Sequence, residues 1–260
     1  MSTLRKYPRT PHILDSALQV GDEVLARAEF DAIAGRHIVV EEKLDGANAA
    51  ISFDADGNLL LQSRGHYLTG GPRERHFALM KGWAHGLRDA LWDVLRARHI
   101  VYGEWLYAKH TLYYDALPDY FLEFDVLDLE TGRFLSTPRR RVLLAGLPLR
   151  AVPVLHEGPI ASAAALERLI GPPAYQSPGW RASLKAAAAV APHDAATVER
   201  QTDQSGLMEG LYLKVEDTDE VLARFKYIRH GFLQAVADSD SHWQSRPILP
   251  NRLAAKARAP

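Results

Sequence analysis

Glu41-Glu42-Lys43-Leu44-Asp45-Gly46-Ala47-Asn48-Ala49-Ala50-Ile51-Ser52-Phe53 decides how this chain is read. The apolar run Ile38-Val39-Val40 leads into it. It predicts a strand that ends at the acidic pair and delivers Lys43 to a bend. Gly46 stands where such a bend needs a residue without a side chain. Ala49–Phe53 predicts a second strand. A lysine offered at a strand end can attack a phosphoanhydride or a carbonyl when its amine is neutral. Burial and neighbouring cations favour that neutral form. Lys43 is therefore the candidate nucleophile. In a chain with 31 Lys+Arg, 32 Asp+Glu and 18 Gly, a Lys-x-Asp-Gly tetrad also arises by chance as a solvated turn. The reading depends on what accompanies it.

The chain has 260 residues, enough for one large domain that buries a core without staples. The absence of cysteine excludes a disulfide framework, a thiolate zinc site and a cysteine nucleophile. It is compatible with a reducing compartment. Met1–Thr10 is polar and basic without an apolar stretch, which predicts no secretory signal. No apolar run approaches the roughly 18 residues of a membrane span. The expected setting is cytoplasmic. A net charge of −1 does not suit a protein that merely coats nucleic acid, but it leaves room for a local phosphate pocket.

Tyr7-Pro8-Arg9-Thr10-Pro11-His12 reads as extended or turn-like. Arg9 and His12 belong either to a lid over a substrate or to an arm packed on the domain. Asp22–Ala34 predicts a short helix. Residues 37–63 predict a three-stranded meander, with Asp54-Ala55-Asp56-Gly57-Asn58 as a turn. The third strand ends at Ser63-Arg64-Gly65, where Arg64 could hold a phosphate bidentately or lie exposed. Phe77, Met80, Ala84, Leu87, Leu91 and Leu95 recur at helical spacing and predict one helix over 73–98. Ile100–Tyr102 predicts a strand ended by Gly103-Glu104. Glu104 is either a ribose acceptor or an exposed carboxylate, and Lys109 and His110 either reach phosphate or are solvated.

Residues 120–129 predict an apolar strand whose Asp125 and Asp128 need partners. Thr137-Pro138 predicts a cap and first turn of a helix running to about Gly146. Ala161–Ile170, 182–191 and 194–203 predict outer helices. Met208–Val215 and Val221–Ile228 predict a hairpin. Alternation puts Glu209, Leu211 and Leu213 on one face, and Gly210, Tyr212 and Lys214 on the other. Arg224 and Lys226 share a face, where two cations repel unless an anion lies between them.

In this order and spacing, the pieces resemble the covalent nucleotidyltransferases, the superfamily of ATP-dependent ligases and mRNA capping enzymes. Lys43-Leu44-Asp45-Gly46 resembles the nucleophile motif Lys-x-Asp-Gly. Tyr102-Gly103-Glu104 and Phe121 to Asp125 resemble the motifs that follow. Glu209 to Lys214 resembles Glu-Gly-x-x-x-Lys, and Arg224-Phe225-Lys226 resembles Lys-x-Lys with one substitution. Glu-Lys-x-Asp-Gly-x-Asn is most similar to RNA ligases of the bacteriophage type-2 kind. The likeness spans roughly residues 37–230.

The resemblance implies an α+β fold. Its core would be two mainly antiparallel sheets, ATP-grasp-like, with outer helices and the nucleotide between the sheets. It implies an adenylylation domain over 1–230 and a short tail over 231–260, too short for an oligonucleotide-binding barrel. It implies that Lys43 attacks ATP and becomes lysyl-AMP. Glu104 would bind ribose, Phe124 would stack on adenine, and Arg64 would touch ribose or phosphate. Glu209 would organise Mg2+ or Mn2+, and Glu42, Lys214, Arg224 and Lys226 would line the nucleotide site. Asn48 would serve the donor end. The substrates would be ATP and RNA with 5′-phosphate and 3′-OH ends, with a partner protein conceivable as supplier of a C-terminal domain. Sealing of DNA, end adenylylation without sealing, and nucleotide binding without catalysis are the alternative expectations.

Overall fold

Alternation sorts the side chains of residues 47–53 onto two surfaces. Ala47, Ala49, Ile51 and Phe53 are buried with Met80, Ala84, Leu91 and Leu95. Ala50 joins Tyr102 and Phe134 on the opposite surface. A strand covered on both sides in this way is the middle of a layered protein.

The protein is described by a computed structural model over residues 4–17, 27–191, 194–232 and 248–255. In chain order the elements are β1 (His12–Ile13), β2 (Arg27–Ala28), a 3-10 turn (Phe30–Ala32), β3 (Ile38–Lys43), β4 (Ala47–Phe53), β5 (Leu59–Ser63), a 3-10 segment (Pro72–Phe77), α1 (Ala78–Gly86), α2 (Arg88–Leu95), β6 (His99–Trp105), β7 (Phe121–Asp128), β8 (Arg133–Phe134), α3 (Thr137–Leu144), β9 (Arg150–Ala151), β10 (Val154–Gly158), α4 (Ala163–Glu167), α5 (Trp180–Val190), α6 (Ala195–Arg200), β11 (Gly210–Glu216) and β12 (Val221–Ile228). Among the described residues these strands make two sheets. The first has the order β10-β3-β11-β12-β1-β2, and the second β5-β4-β6-β7-β8 with β9 beside β7. Pairing is antiparallel except where β1 meets β12 and β2, and where β9 meets β7. The α+β, two-sheet expectation holds. Helices α1 and α2 cover the outer face of the second sheet, and α4 helps cover that of the first.

The expected meander over 37–63 is corrected. Only β4 and β5 form a hairpin, whereas β3 pairs with β10 and β11 in the other sheet. Leu44-Asp45-Gly46 is the crossing. Its polar groups are taken by a distant segment: Asp45 Oδ2 accepts from the Thr111 and Leu112 amides, both at 2.6 Å, and Asp45 N donates to Tyr114 Oη at 2.9 Å. These bonds carry the chain out of one sheet into the next. Gly46 is needed here for space: a Cβ would lie 2.7 Å from Leu106 Cδ2 and 2.9 Å from Trp105 O.

Other expectations are adjusted. The 73–98 helix is two helices, with Leu87 at φ −103° between them. Gly86, a poor helix former, precedes the break. The apolar period nevertheless carries through to Leu91 and Leu95. The strand of Ile100–Tyr102 continues through Gly103 and Glu104 to Trp105, because β4 and β7 flank it along that length. Ser136, not Thr137, is the N-cap residue of α3; the Thr137 hydroxyl instead donates to Glu216 at 2.8 Å. Within 22–34, residues 22–26 lie outside the described residues, and the rest is β2 and the 3-10 turn instead of a helix. The sequence of the 231–260 tail also predicts a helical start, and from 233 to 247 it lies outside the described residues. His12 is buried in β1, so the N-terminal arm is packed on the domain. Residues 248–255 lie along the 106–117 segment. Buried Asn251 accepts from Tyr114 N and donates to Leu106 O and, through its backbone, to Tyr107 O.

Glycine spacing gives a paired stability test. A Cβ on Gly210 would collide with the Tyr227 carbonyl and approach Ile228 Cα at 3.0 Å, whereas around Gly82 in α1 there is open space. Gly210→Ala is expected to destabilise the protein by at least about 1–3 kcal/mol. Gly82→Ala is expected to stabilise it by about 0.5–1 kcal/mol. Urea denaturation of both variants checks the opposite signs.

Candidate active site

Lys43 ends β3 opposite Gly210 of β11. Its side chain remains 27% exposed while that of Glu209 is 3% exposed, and Lys43 Nζ donates to Glu209 Oε1 at 2.6 Å. Strand alternation had put Glu209 with Leu211, away from the Lys214 face. The correction has a simple cause. Glu209 stands one residue before β11, at the strand end beside Gly210, and from there its carboxylate reaches Lys43. Across the cleft, Asn48 of β4 pairs with Glu104 of β6, and Glu104 Oε1 accepts from Gly46 N at 3.0 Å. The bend glycine, the end of the Lys43 strand and both carboxylates thus meet at one end of the interface between the sheets.

Electrostatics there differ from the sequence expectation. Burial pulls the Lys43 amine down, but the carboxylates of Glu209, Glu104 and Asp45 outweigh it and raise its pKa. Lys43 is therefore held protonated by acids, not made neutral by Arg224 and Lys226. Burial pushes the Glu104 carboxyl up to about 8, with Lys43 pulling it back. Burial likewise pushes Glu209 up to about 7, against the pull of Lys43 and of Lys226. Lys226 thus stands close enough to Glu209 to act on it.

The remaining expected site residues separate. Lys214 pairs with Val39, four residues and about 13 Å along the strand from Lys43. Its amine bridges Glu41 at 2.9 Å and Asp125 at 3.0 Å and also donates to the Phe124 carbonyl. Arg224 lies opposite Lys214, contacts Asp125 at 3.4 Å and stacks on Phe134 at 3.8 Å. Neither stands at Lys43. Glu42 pairs with Leu211, turns to the other face of the sheet and accepts from Ala174 N at 3.0 Å. Phe124 is half-buried against Tyr7 and Tyr212, with ring centroids 5.1 and 6.1 Å away. Arg64 is exposed directly after β5, whose Ser63 pairs with Ala49. Lys109 donates to the His110 and Gln201 carbonyls, and His110 is buried.

Sequence reasoning missed Tyr7, whose hydroxyl reaches Asp125 and Tyr212. It also missed Tyr114 and Asn251. Asp45 carried a signal in its tetrad, whereas the others come from loops with no periodic pattern.

A family whose description is RNA ligase matches residues 36–228. The chain belongs to the RNA ligase family. Its quoted motifs all lie inside the matched span. No curated protein matches the chain. Among solved structures it is similar to Naegleria gruberi RNA ligase with pyrophosphate, at 18% identity and a TM-score of 0.51, over 80% of this chain and 53% of that one. It is also similar to a lysine-to-alanine mutant of that ligase with ATP and Mn, at 17% identity and the same TM-score, over 80% and 53%. This chain thus spans about half the length of the solved chains it matches. At that identity the likeness is one of fold. Among the described residues no helix is long and apolar enough to cross a membrane.

Glu42 supplies a pH test of the family core. It is 2% exposed, its Oε1 has no partner, and burial raises its pKa to about 7. Below about pH 4.5 both folded and unfolded chains hold this proton. Between there and pH 7 only the folded chain does, so ionisation of the unfolded chain lowers stability as pH rises. Glu42→Gln is expected to match wild type at pH 4.5 and to exceed it above pH 7, by up to about 3 kcal/mol. Urea unfolding at the two pH values measures the difference.

Proposed function

We propose that this member of the RNA ligase family is an ATP-dependent RNA ligase that joins 3′-OH and 5′-phosphate ends. The observation that most supports this is Lys43, partly exposed at a strand end and bonded to Glu209 beside Glu104 and Asn48. Solved relatives of the same fold carry in turn ATP with Mn, AMP with Mn, and pyrophosphate. Those are the reactant and the two product fragments of an adenylyl transfer.

In the proposed reaction the Lys43 ammonium loses one proton to solvent, and the neutral amine attacks the α-phosphorus of ATP, shedding a second proton as the new bond forms. An N–P bond forms and the bond to pyrophosphate breaks, leaving lysyl-AMP. The AMP then passes to an RNA 5′-phosphate as a 5′–5′ anhydride. The 3′-hydroxyl of the second end attacks that phosphate, the strands join and AMP leaves. Catalysis of such transfers is mostly positioning and charge stabilisation. Glu104 would hold ribose, Phe124 would stack on the base, Arg64 would touch ribose or phosphate, Lys226 would meet phosphate, and Asn48 would serve the donor end. Asn48 Oδ1 is buried without a partner, as an acceptor waiting for a ligand would be. Lys214 and Arg224 act by fastening the sheets, not by touching phosphate. The adenylylation domain comprises residues 1–230, with the 248–255 segment packed on it.

A divalent ion fits this site indirectly. Among the described residues no three acidic or histidine groups could hold one together. Glu209 Oε2, however, is buried without a partner. Mg2+ commonly takes one carboxylate, several waters and substrate phosphates. Glu209 would hold the ion in that way. When bound, Mg2+ or Mn2+ would neutralise developing phosphate charge.

Intact-protein mass after incubation with ATP and magnesium tests the reading. Wild type is expected to gain one AMP, or to arrive already carrying it, and Lys43→Ala to gain none while keeping its thermal midpoint. An adduct on Lys43→Ala would move the nucleophile elsewhere. Glu209→Ala should slow adduct formation by about 100-fold or more. Sealing of nicked duplexes should be faster with RNA than with DNA at the 3′-OH side; equal rates would remove the RNA preference.

A further inference from the structure

The bond between Lys43 and Glu209 has a support that the reaction scheme does not use. Arg229 directly follows β12, only 7% exposed. Gly210 pairs with Ile228, so Arg229 lies across from Glu209, and Arg229 N donates to Glu209 O at 3.1 Å. Its guanidinium spans the loop that leads to Glu209. Nε donates to Met208 O at 2.7 Å, and Nη2 to Ser205 Oγ at 2.9 Å and to the Asp203 carboxylate. Asp203 is 3% exposed, and its backbone N donates to Thr111 O at 2.9 Å. Thr111 N in turn donates to Asp45. With the chain itself joining Lys43 to Asp45 through Leu44, these contacts close a ring: Asp45, Thr111, Asp203, Arg229, Glu209 and Lys43.

We propose that Arg229 is a positioning residue that holds Glu209 against Lys43, by pinning residues 203–208 to the end of β12 and to the Asp45 bend. The chemistry suits arginine. A planar fork can satisfy a carboxylate, a hydroxyl and a carbonyl at once, which a lysine cannot. The loop it pins contains Gly206 at φ +73° and so has no regular backbone ladder of its own. Without the Arg229 side chain, Glu209 is left with the backbone bonds from Arg229 N to Glu209 O and from Met208 N to Gly171 O and with the first pairs of β11, none of which ties residues 203–207 down. The significance for ligation rests on the function proposed above, but the positioning itself does not.

The test reads Lys43 directly. Wild type, Arg229→Met, Arg229→Lys, Glu209→Gln and the double variant Arg229→Met/Glu209→Gln are treated with limiting acetic anhydride. Acetylation of the Lys43 peptide is then followed by mass spectrometry. An amine released from its carboxylate is the more reactive nucleophile. Arg229→Met and Glu209→Gln are each expected to raise Lys43 labelling several-fold, and the double variant no further than the larger single change. Arg229→Lys is expected to fall between wild type and Arg229→Met. Wild-type labelling in Arg229→Met, or effects that multiply in the double variant, would overturn the proposal, since a residue acting elsewhere adds independently. If Arg229→Met does not fold, Arg229→Met/Asp203→Asn removes the charge pair together and carries the same expectation. Lysyl-AMP formation is measured in parallel. Its absence in wild type would sink the ligase reading while the labelling still decides the role of Arg229.

Discussion

A buried ion network between the two sheets sets the position of everything at the site. Arg140, Lys214 and Arg224 face Glu41, Glu123 and Asp125. Arg140 and Glu41 are fully buried and 2.7 Å apart. Moving such ions out of water costs several kcal/mol each, and leaving one unpaired costs about 3–5 kcal/mol. The network is therefore favourable only when all members are present and both sheets are docked in one register. Glu41 lies on β3, two residues before Lys43, while Glu123 and Asp125 lie on β7. The strand that delivers Lys43 is thereby fixed against the sheet that carries Glu104.

This division explains why similar residues serve different ends. Lys43, Lys214, Arg224 and Lys226 stand on three neighbouring strands of one sheet. Position along the strand decides what each can do. Lys214 and Arg224 lie where the sheets close on each other, and Asp125 and Glu41 consume their charge. Lys43 lies at the end of β3 with Glu209 and Glu104, and Lys226, level with Glu41 in the register, still pulls on Glu209 from β12. The Lys43 ammonium stays about a quarter exposed, so it can still be reached.

Much of this was legible in the sequence, and the rest failed for identifiable reasons. Alternation and turn residues located β4, β5, β11 and β12 to within a few residues, and the motif order located Lys43, Glu104, Glu209 and Lys226. Alternation says that a segment is a strand but not which strand lies beside it. That is why β3 and β4 read as one meander although Asp45 takes the chain into another sheet. It also gives a face without saying what that face meets, so nothing local shows that Asp125 lies against Lys214 and Arg224. Tyr7, Arg229 and Asn251 act from irregular segments on partners that include Asp125, Asp203 and Tyr114. No local pattern marks such pairings.

The acid-rich surroundings of Lys43 bear on the chemistry proposed. Lys43 and Lys226 are outnumbered by Glu209, Glu104 and Asp45, an unpromising place for a polyphosphate by Coulomb's law. The same burial that crowds these acids raises their pKa values, to about 7 for Glu209 and about 8 for Glu104, so near neutrality part of the negative charge is absent. An incoming triphosphate would repel what remains unless cations arrived with it. Under the proposed function, a site built this way would disfavour a free nucleotide relative to a metal-bound one. The carboxylates would then serve twice: they keep the lysine charged and in place while the cleft is empty, and they would accept a cation that offsets their charge once substrate is in position.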